Sequence, residues 1–259
     1  MSQHISFSEL KNWDDCPYKH KLIHIDKVNK FKGNEYTAFG TALHETCEKS
    51  LFSGDGFDNV EYFNSCFLEE LKKLSEDNVE LKKGLIADMR TQGASLSKYA
   101  IPALKEYFGE YEVVSAEEKL YEQIDDEEIK FKGYIDLVLK TPNGKYHVID
   151  WKTCSWGWDT RRKADRMTTY QLVLYKNYFA KKHNIDPNNI ETHFALLKRT
   201  AKNNKVEIFR VTSGIKKTEN SLNLLRKAIY NIKNKKHIKN RLSCTRGYGC
   251  EFYGTKFCN

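Results

Sequence analysis

No run in this chain approaches the roughly 18 consecutive apolar residues that a membrane-spanning helix needs. Nor does a basic stretch followed by an apolar one open the sequence, so no export leader is expected and the cytoplasm (a host's, for a viral protein) is the expected location. Internal repeats and long Gly/Ser/Pro linkers are also missing, which points to one domain over residues 1–259. What is present fits a compact enzyme. The 259 residues can bury a substantial core, and 40% apolar with 13% aromatic residues excludes wholesale disorder. Seven cysteines without a leader read as reduced thiols or metal ligands rather than disulfides. The formal charge of +8 is compatible with a polyanionic partner.

The richest local pattern lies at 133–153. Gly133-Tyr134-Ile135-Asp136-Leu137-Val138-Leu139 and Tyr146-His147-Val148-Ile149-Asp150-Trp151-Lys152-Thr153 are apolar, β-branched and aromatic, so both read as strands. Pro142-Asn143-Gly144 between them is turn chemistry. If Thr141 pairs with Lys145 across a three-residue loop, with Gly144 left-handed, Asp136 lies opposite Asp150. A two-residue loop would instead put Trp151 there. Residues i and i+2 share a strand face, so Asp150 and Lys152 project together. Two such carboxylates repel unless a cation sits between them, and hard oxygen ligands suit Mg²⁺ or Mn²⁺. The bland reading is a surface ion pair.

The rest of the chain reads as α/β. Ser6 with Glu9 predicts a capping box for a short first helix. Helices are expected near 40–52, 59–82, 91–109, 168–182 and 215–236. Strands are expected near 111–123, 129–140, 145–153, 190–198 and 204–211. This gives a mainly helical part over 6–109, a core over 111–211, and a C-terminal helix with a cysteine-bearing tail over 213–259.

Several side chains join the candidates. Glu117 or Glu118 could support the carboxylate pair, with an exposed edge charge as the alternative. Gln171 and Tyr175 are four apart and share a helix face. Arg161, Arg162 and Lys163, with Arg166, follow Trp156 and Trp158 just beyond Lys152, where cations can meet phosphates and aromatics can stack on unpaired bases. A second cluster runs over Lys233, Lys235, Lys236, Lys239 and Arg241. Cys244, Cys250 and Cys258 crowd the tail, with Cys16 the obvious fourth thiol, and four thiolates suit zinc or a four-iron, four-sulfur cluster. Cys47, Cys66 and Cys154 read as small buried hydrophobes.

The ordered set His44, Asp136, Asp150-x-Lys152 and Gln171-x-x-x-Tyr175 resembles the RecB-like branch of the PD-(D/E)xK nuclease superfamily. Ser6 to Leu10 and Cys16-Pro17-Tyr18 resemble that branch's opening, and the terminal cysteines resemble its iron–sulfur subgroup. That subgroup includes the AddB nuclease domain and CRISPR-associated RecB-like exonucleases. Ile135 stands where the superfamily has its proline, and the terminal cysteine spacing is wider than the subgroup's.

The resemblance implies a restriction-endonuclease-like core with a mixed central sheet flanked by helices, preceded by a helical insertion. It implies metal ligation by His44, Asp136, Asp150 and the Trp151 carbonyl, with Lys152 catalytic. It also implies phosphate binding or active-site ordering by Gln171 and Tyr175. Cys16, Cys244, Cys250 and Cys258 would hold a 4Fe-4S cluster that staples the termini. The expected function is metal-dependent hydrolysis of DNA, as an exonuclease on single strands or ends. The alternatives are a non-catalytic DNA-binding module of the same fold and an iron–sulfur redox or sensor protein. Oligomeric state is not legible in the sequence.

Overall fold

The structure is a computed structural model that describes residues 3–28, 31–54, 56–247 and 249–258. In chain order its main elements are β1 (His4–Ser6), α1 (Phe7–Asp15), α2 (Pro17–His20), α3 (Glu35–Phe52), α4 (Asn59–Glu76), α5 (Lys83–Leu96) and α6 (Ala100–Phe108). They continue as β2 (Glu112–Gln123), β3 (Lys130–Lys140), β4 (Tyr146–Cys154), α7 (Thr160–Ala164), α8 (Arg166–His183), β5 (Ile190–Lys198), β6 (Val206–Val211) and α9 (Ile215–Lys233). A π-helical turn, Lys21–Ile25, continues α2.

The strands form a six-stranded mixed sheet of order β1-β3-β4-β5-β6, with β2 also pairing with β3. β3 and β4 are antiparallel, β4 and β5 parallel, β5 and β6 antiparallel. The parallel step requires a long crossover, which α7 and α8 supply. The fold is therefore α/β, with a mixed sheet flanked by helices.

Two compact units are distinguished within the chain. The larger spans 32–120 and 134–214. Its core packs the apolar faces of α3, α4, α5 and α6 on one sheet face, where Leu137, Leu139, Ile149, Trp151, Ala195 and Leu197 are fully buried. Gly93 on α5 is required there, since an added Cβ would meet the Phe63 ring at 1.9 Å. The smaller unit spans 1–31, 121–133 and 215–259. In it β1 runs parallel to the first residues of β3, pairing His4 with Lys130 and Ser6 with Lys132. Arg226 on α9 holds Asp125 at 2.7 Å, and Lys233 bonds Glu127.

Three local expectations need correction. The helix expected over 59–82 ends at Glu76, where Asp77 caps it and Asn78 takes a left-handed φ of +59°. Ser6 does cap α1, accepting from the Glu9 N–H at 3.2 Å, but the Glu9 carboxylate turns to His20 at 2.9 Å, so the reciprocal half of the box is not what holds Glu9. The helix expected over 91–109 is two. Ser97 ends α5 and the chain turns through Lys98 and Tyr99, where the N–H groups of Ser97, Lys98 and Tyr99 bond back to Gly93, Ser95 and Leu96. Apolar periodicity on both sides of that turn concealed it.

Candidate active site

The β3–β4 turn sets the register. The Thr141 N–H donates to the Lys145 carbonyl at 3.0 Å, and Gly144 takes a φ of +81°, the left-handed conformation glycine adopts without a Cβ penalty. Pairing runs from Lys140↔Tyr146 to Leu137↔Ile149, and one further step faces Asp136 with Asp150. The three-residue loop is thus the one adopted. Beyond Leu137 the Asp136 carboxylate enters the sheet's own bonding, with its Oδ2 accepting the Trp151 N–H at 2.8 Å. N–H and C=O of one strand residue point to the same side, so the Trp151 carbonyl also faces the Asp136 side.

Asp150 is 1% exposed. Its Oδ1 accepts from the Gln171 Nε2 at 2.7 Å. Its Oδ2 is buried, and among the described residues its one close polar neighbour is the Lys152 ammonium, 2.6 Å away but poorly directed for a hydrogen bond, as its counter-charge. The close ion pair compensates that oxygen's charge without saturating its lone pairs. His44, on α3, brings Nδ1 to 3.6 Å from the Asp136 Oδ2.

Electrostatics follow from this crowding. Burial pushes Asp136 up to about 7, against the opposing pull of Lys152 and the Trp151 N–H. Burial likewise lifts Asp150 to about 6, with Lys152 opposing and Asp136 adding. His44 is pushed down to about 4 by burial and by Lys152, so its ring is neutral at pH 7. Burial works to lower Lys152, but Asp150 and Asp136 outweigh it and its pKa is raised. A neutral imidazole and two carboxylates, one with an unsaturated buried oxygen, are a donor set that fits a hard or borderline divalent cation.

The surrounding residues divide. Gln171 Nε2 bridges Asp150 to the Tyr175 hydroxyl, at 3.3 Å from the latter, so this amide orders Asp150. Tyr175 is buried and its pKa is raised by burial and then by Asp150. Of the two glutamates, Glu118 is taken by Lys182, His183 and Ser115. Glu117 sits at a φ of +47°, an unusual conformation for a non-glycine residue. Although exposed, it is electrostatically coupled to Glu48 and Asp150. Glu48 was missed in the sequence. The available signal was its position four residues after His44, one turn along the same face of α3.

The basic segment forms α7. The Arg162 guanidinium lies 4.5 Å from the centre of the Trp158 ring, while Lys163 bonds Glu207 and lies over Phe209. Arg162 also acts on Lys152 through its charge. Arg161 is exposed. Trp156 is 78% exposed and Trp158 is buried against Phe194, so only the first presents its ring to solvent. In the second basic cluster Lys233 is paired, and Lys236 and Lys239 lie over Tyr230 and Tyr18.

In the smaller unit Cys16, Cys244, Cys250 and Cys258 line one pocket, and the other three raise the Cys244 pKa, after burial, through their charge. The same region ties the chain ends by other means. Tyr18 N–H donates to the Ile238 carbonyl at 3.2 Å, Asn240 to the Asp15 carbonyl at 2.8 Å, and Lys19 pairs with Glu251 at 3.1 Å. Cys47 and Cys66 are buried in the larger unit's core and Cys154 is half-buried.

A "Putative exonuclease" of Eubacterium rectale shares the fold at 13% identity, with a TM-score of 0.60, over 94% of this chain and 86% of that one. The solved structure of SSO0001 matches at 15% identity over 78% of this chain and 93% of that one, with a TM-score of 0.35. No curated protein matches the sequence. The sequence profile of the PD-(D/E)XK nuclease superfamily matches residues 4–254, nearly the whole chain, and the chain belongs to that superfamily.

Proposed function

We propose that this nuclease is a Mg²⁺- or Mn²⁺-dependent deoxyribonuclease that acts on single strands or DNA ends. The observation that carries the reading is the buried Asp150, faced by Asp136 and left with one unsaturated oxygen beside a lysine. Asp136, Asp150, His44 and the Trp151 carbonyl would hold the divalent cation. Such an ion supplies an activated water and charge stabilisation for in-line displacement at phosphorus. Lys152, held protonated by the two carboxylates, stabilises negative charge on the phosphate and does not act as a base. Gln171 fixes the Asp150 carboxylate and Tyr175 fixes Gln171, so both position ligands. Arg161 and Arg162 supply cations for the DNA backbone, and the exposed Trp156 ring a stacking surface for an unpaired base. The test is incubation with end-labelled single- and double-stranded DNA in Mg²⁺, Mn²⁺ or EDTA. Loss of label as mononucleotides, abolished by EDTA, is expected. Metal-independent cleavage, or none with either ion, overturns the reading.

The four cysteines are proposed to hold a 4Fe-4S cluster. Tetrahedral zinc, with Zn–S near 2.3 Å, brings its sulfurs to about 3.8 Å from one another. Cys16, Cys244, Cys250 and Cys258 line one pocket, and four thiolates there suit either that ion or a four-iron, four-sulfur core. The role is structural, since all four ligands sit in the smaller unit and the carboxylates in the larger. Anaerobically purified protein should be brown with about four irons per chain. Colourless protein holding one zinc refutes the cluster.

A further inference from the structure

On the other face of β4 from Asp150 lies a second convergence of donor atoms. His147 on β4 and Glu191 and His193 on β5 bring ligand atoms together beside the β3–β4 turn. His147 Nδ1 stands 3.2 Å from His193 Nε2, and each lies 3.8 Å from Glu191 Oε2. A tetrahedral ion with bonds near 2.0–2.1 Å places its ligands about 3.3 Å apart, so the triangle needs to close by only a few tenths of an ångström. We propose that His147 Nδ1, His193 Nε2 and Glu191 Oε2 form a binding site for a borderline divalent transition ion of the zinc class, with a fourth position open to solvent.

The supporting groups are in place. The Thr141 hydroxyl has one proton, which it donates to the Asn143 Oδ1 at 2.7 Å. At 3.0 Å its oxygen is placed to accept from His147 Nε2, the tautomer that leaves the Nδ1 lone pair aimed at the triangle. His193 is 2% exposed, and with Nε2 on the ion its proton would sit on Nδ1, which has no acceptor among the described residues, so on that side the ring is held by packing alone. Two buried imidazoles facing each other satisfy at most one N–H between them at that contact, and a shared cation uses both lone pairs. Phe108 packs against both rings and Tyr107 against His193, closing one side. The pocket that these residues line together with Glu110 and Pro142 is open to solvent. Burial lowers both histidines, His193 to about 3, so neither needs to lose a proton at pH 7. Arg210 opposes a cation, but it holds the other oxygen of Glu191, Oε1, at 3.3 Å and is largely exposed, free to turn outward.

Two nitrogens and one carboxylate suit zinc, nickel or cobalt better than the magnesium expected at Asp136 and Asp150. The site is chemically distinct from the nuclease centre and does not depend on it.

Zinc can also reach the cysteines and the Asp136–Asp150 pair, so the test must resolve individual residues. Long-range ¹H–¹⁵N spectra of the histidine rings in the full chain, titrated with Zn²⁺, do so. The expected result is that His147 Nδ1 and His193 Nε2 shift together and saturate at one equivalent. Glu191→Gln should weaken that zinc step at least tenfold while leaving Mg²⁺-dependent cleavage unchanged. Shifts confined to His44, or unmoved His147 and His193 rings at saturating zinc, overturn the proposal. So does an unchanged zinc step in a folded Glu191→Gln protein. If that variant does not fold, the wild-type ring spectra decide.

Discussion

The carboxylate centre of the larger unit and the thiol pocket of the smaller one are assembled by different means. Asp136, Asp150 and Lys152 meet because a hairpin register and strand alternation place them together. Their apposition is built into the sheet whether or not a cation is present, and burial there raises both carboxylate pKa values. Cys16 and the three tail cysteines meet only because the chain ends come together, over a sequence separation that loop closure opposes. Sheet register organises the first site in advance. At the second, organisation depends on tertiary contacts such as Asn240 to Asp15 and on whatever the thiols bind. Removing a ligand should therefore damage chemistry at one site and folding at the other.

The largest effect should come from the first. Asp150→Ala is expected to lower cleavage by about 10²–10³-fold or more, with circular dichroism and DNA affinity near wild type. Near-normal Mg²⁺-dependent rates would remove Asp150 from the chemistry. Cys16→Ala should show the opposite profile, with iron lost and limited proteolysis cutting sooner at both ends. Any fall in cleavage should be recovered at lower temperature. Full iron occupancy in that variant would mean that Cys16 is not the fourth ligand.

A third substitution probes the support under the carboxylates. Gly93→Ala drives a methyl into the Phe63 ring and should destabilise the larger unit by about 1–3 kcal/mol, read as a shift in denaturant midpoint. An unshifted midpoint would show that Phe63 moves aside at little cost. Arg161→Glu with Arg162→Glu should weaken DNA binding and flatten its salt dependence, by about one unit of log–log slope for each phosphate no longer neutralised. An unchanged slope would leave α7 as a solvated face.

The smallest effect concerns protons. A carboxyl whose folded pKa is raised from the usual value near 4 to about 7 is more readily protonated folded than unfolded. Its stabilising contribution is complete below about pH 4 and is lost as pH rises through about 7. Metal-free protein should therefore lose thermal stability across that window, and Asp136→Asn should flatten the loss while abolishing cleavage. Melting curves from pH 4 to 8 in metal-free buffer decide it. A variant with the wild-type slope would place the titration elsewhere.

Much of this was legible in the sequence. Pro142-Asn143-Gly144 fixed the hairpin, and with it the meeting of Asp136 and Asp150, because turn chemistry and strand alternation are local. Five strands were placed within a residue or two, since their apolar runs are long, while the three-residue β1, His4–Ser6, carries no such run and was not expected. What escaped was non-local or competed for. Glu9 looked like half of a capping box, but His20 claims its carboxylate. Trp158 and Lys163 looked available to DNA, but Phe194 and Glu207 engage them. His147 and His193 stand 46 residues apart on strands whose pairing no local signal announces. Glu48 was hidden behind the more conspicuous His44 one turn earlier.

The Asp136 carboxylate has a second job, as the acceptor for a strand amide. It is part of the sheet's construction as well as a candidate ligand. Asp150 has no such backbone duty. Its oxygens face Gln171 and Lys152, both side chains. A survey of every substitution in this chain, scored once for protein abundance in cells and once for DNA cleavage, should therefore split the pair. At Asp150 small replacements such as asparagine, serine or alanine would cost far more in cleavage than in abundance. At Asp136 the two scores would fall together, except for asparagine, whose amide oxygen can still take the Trp151 N–H.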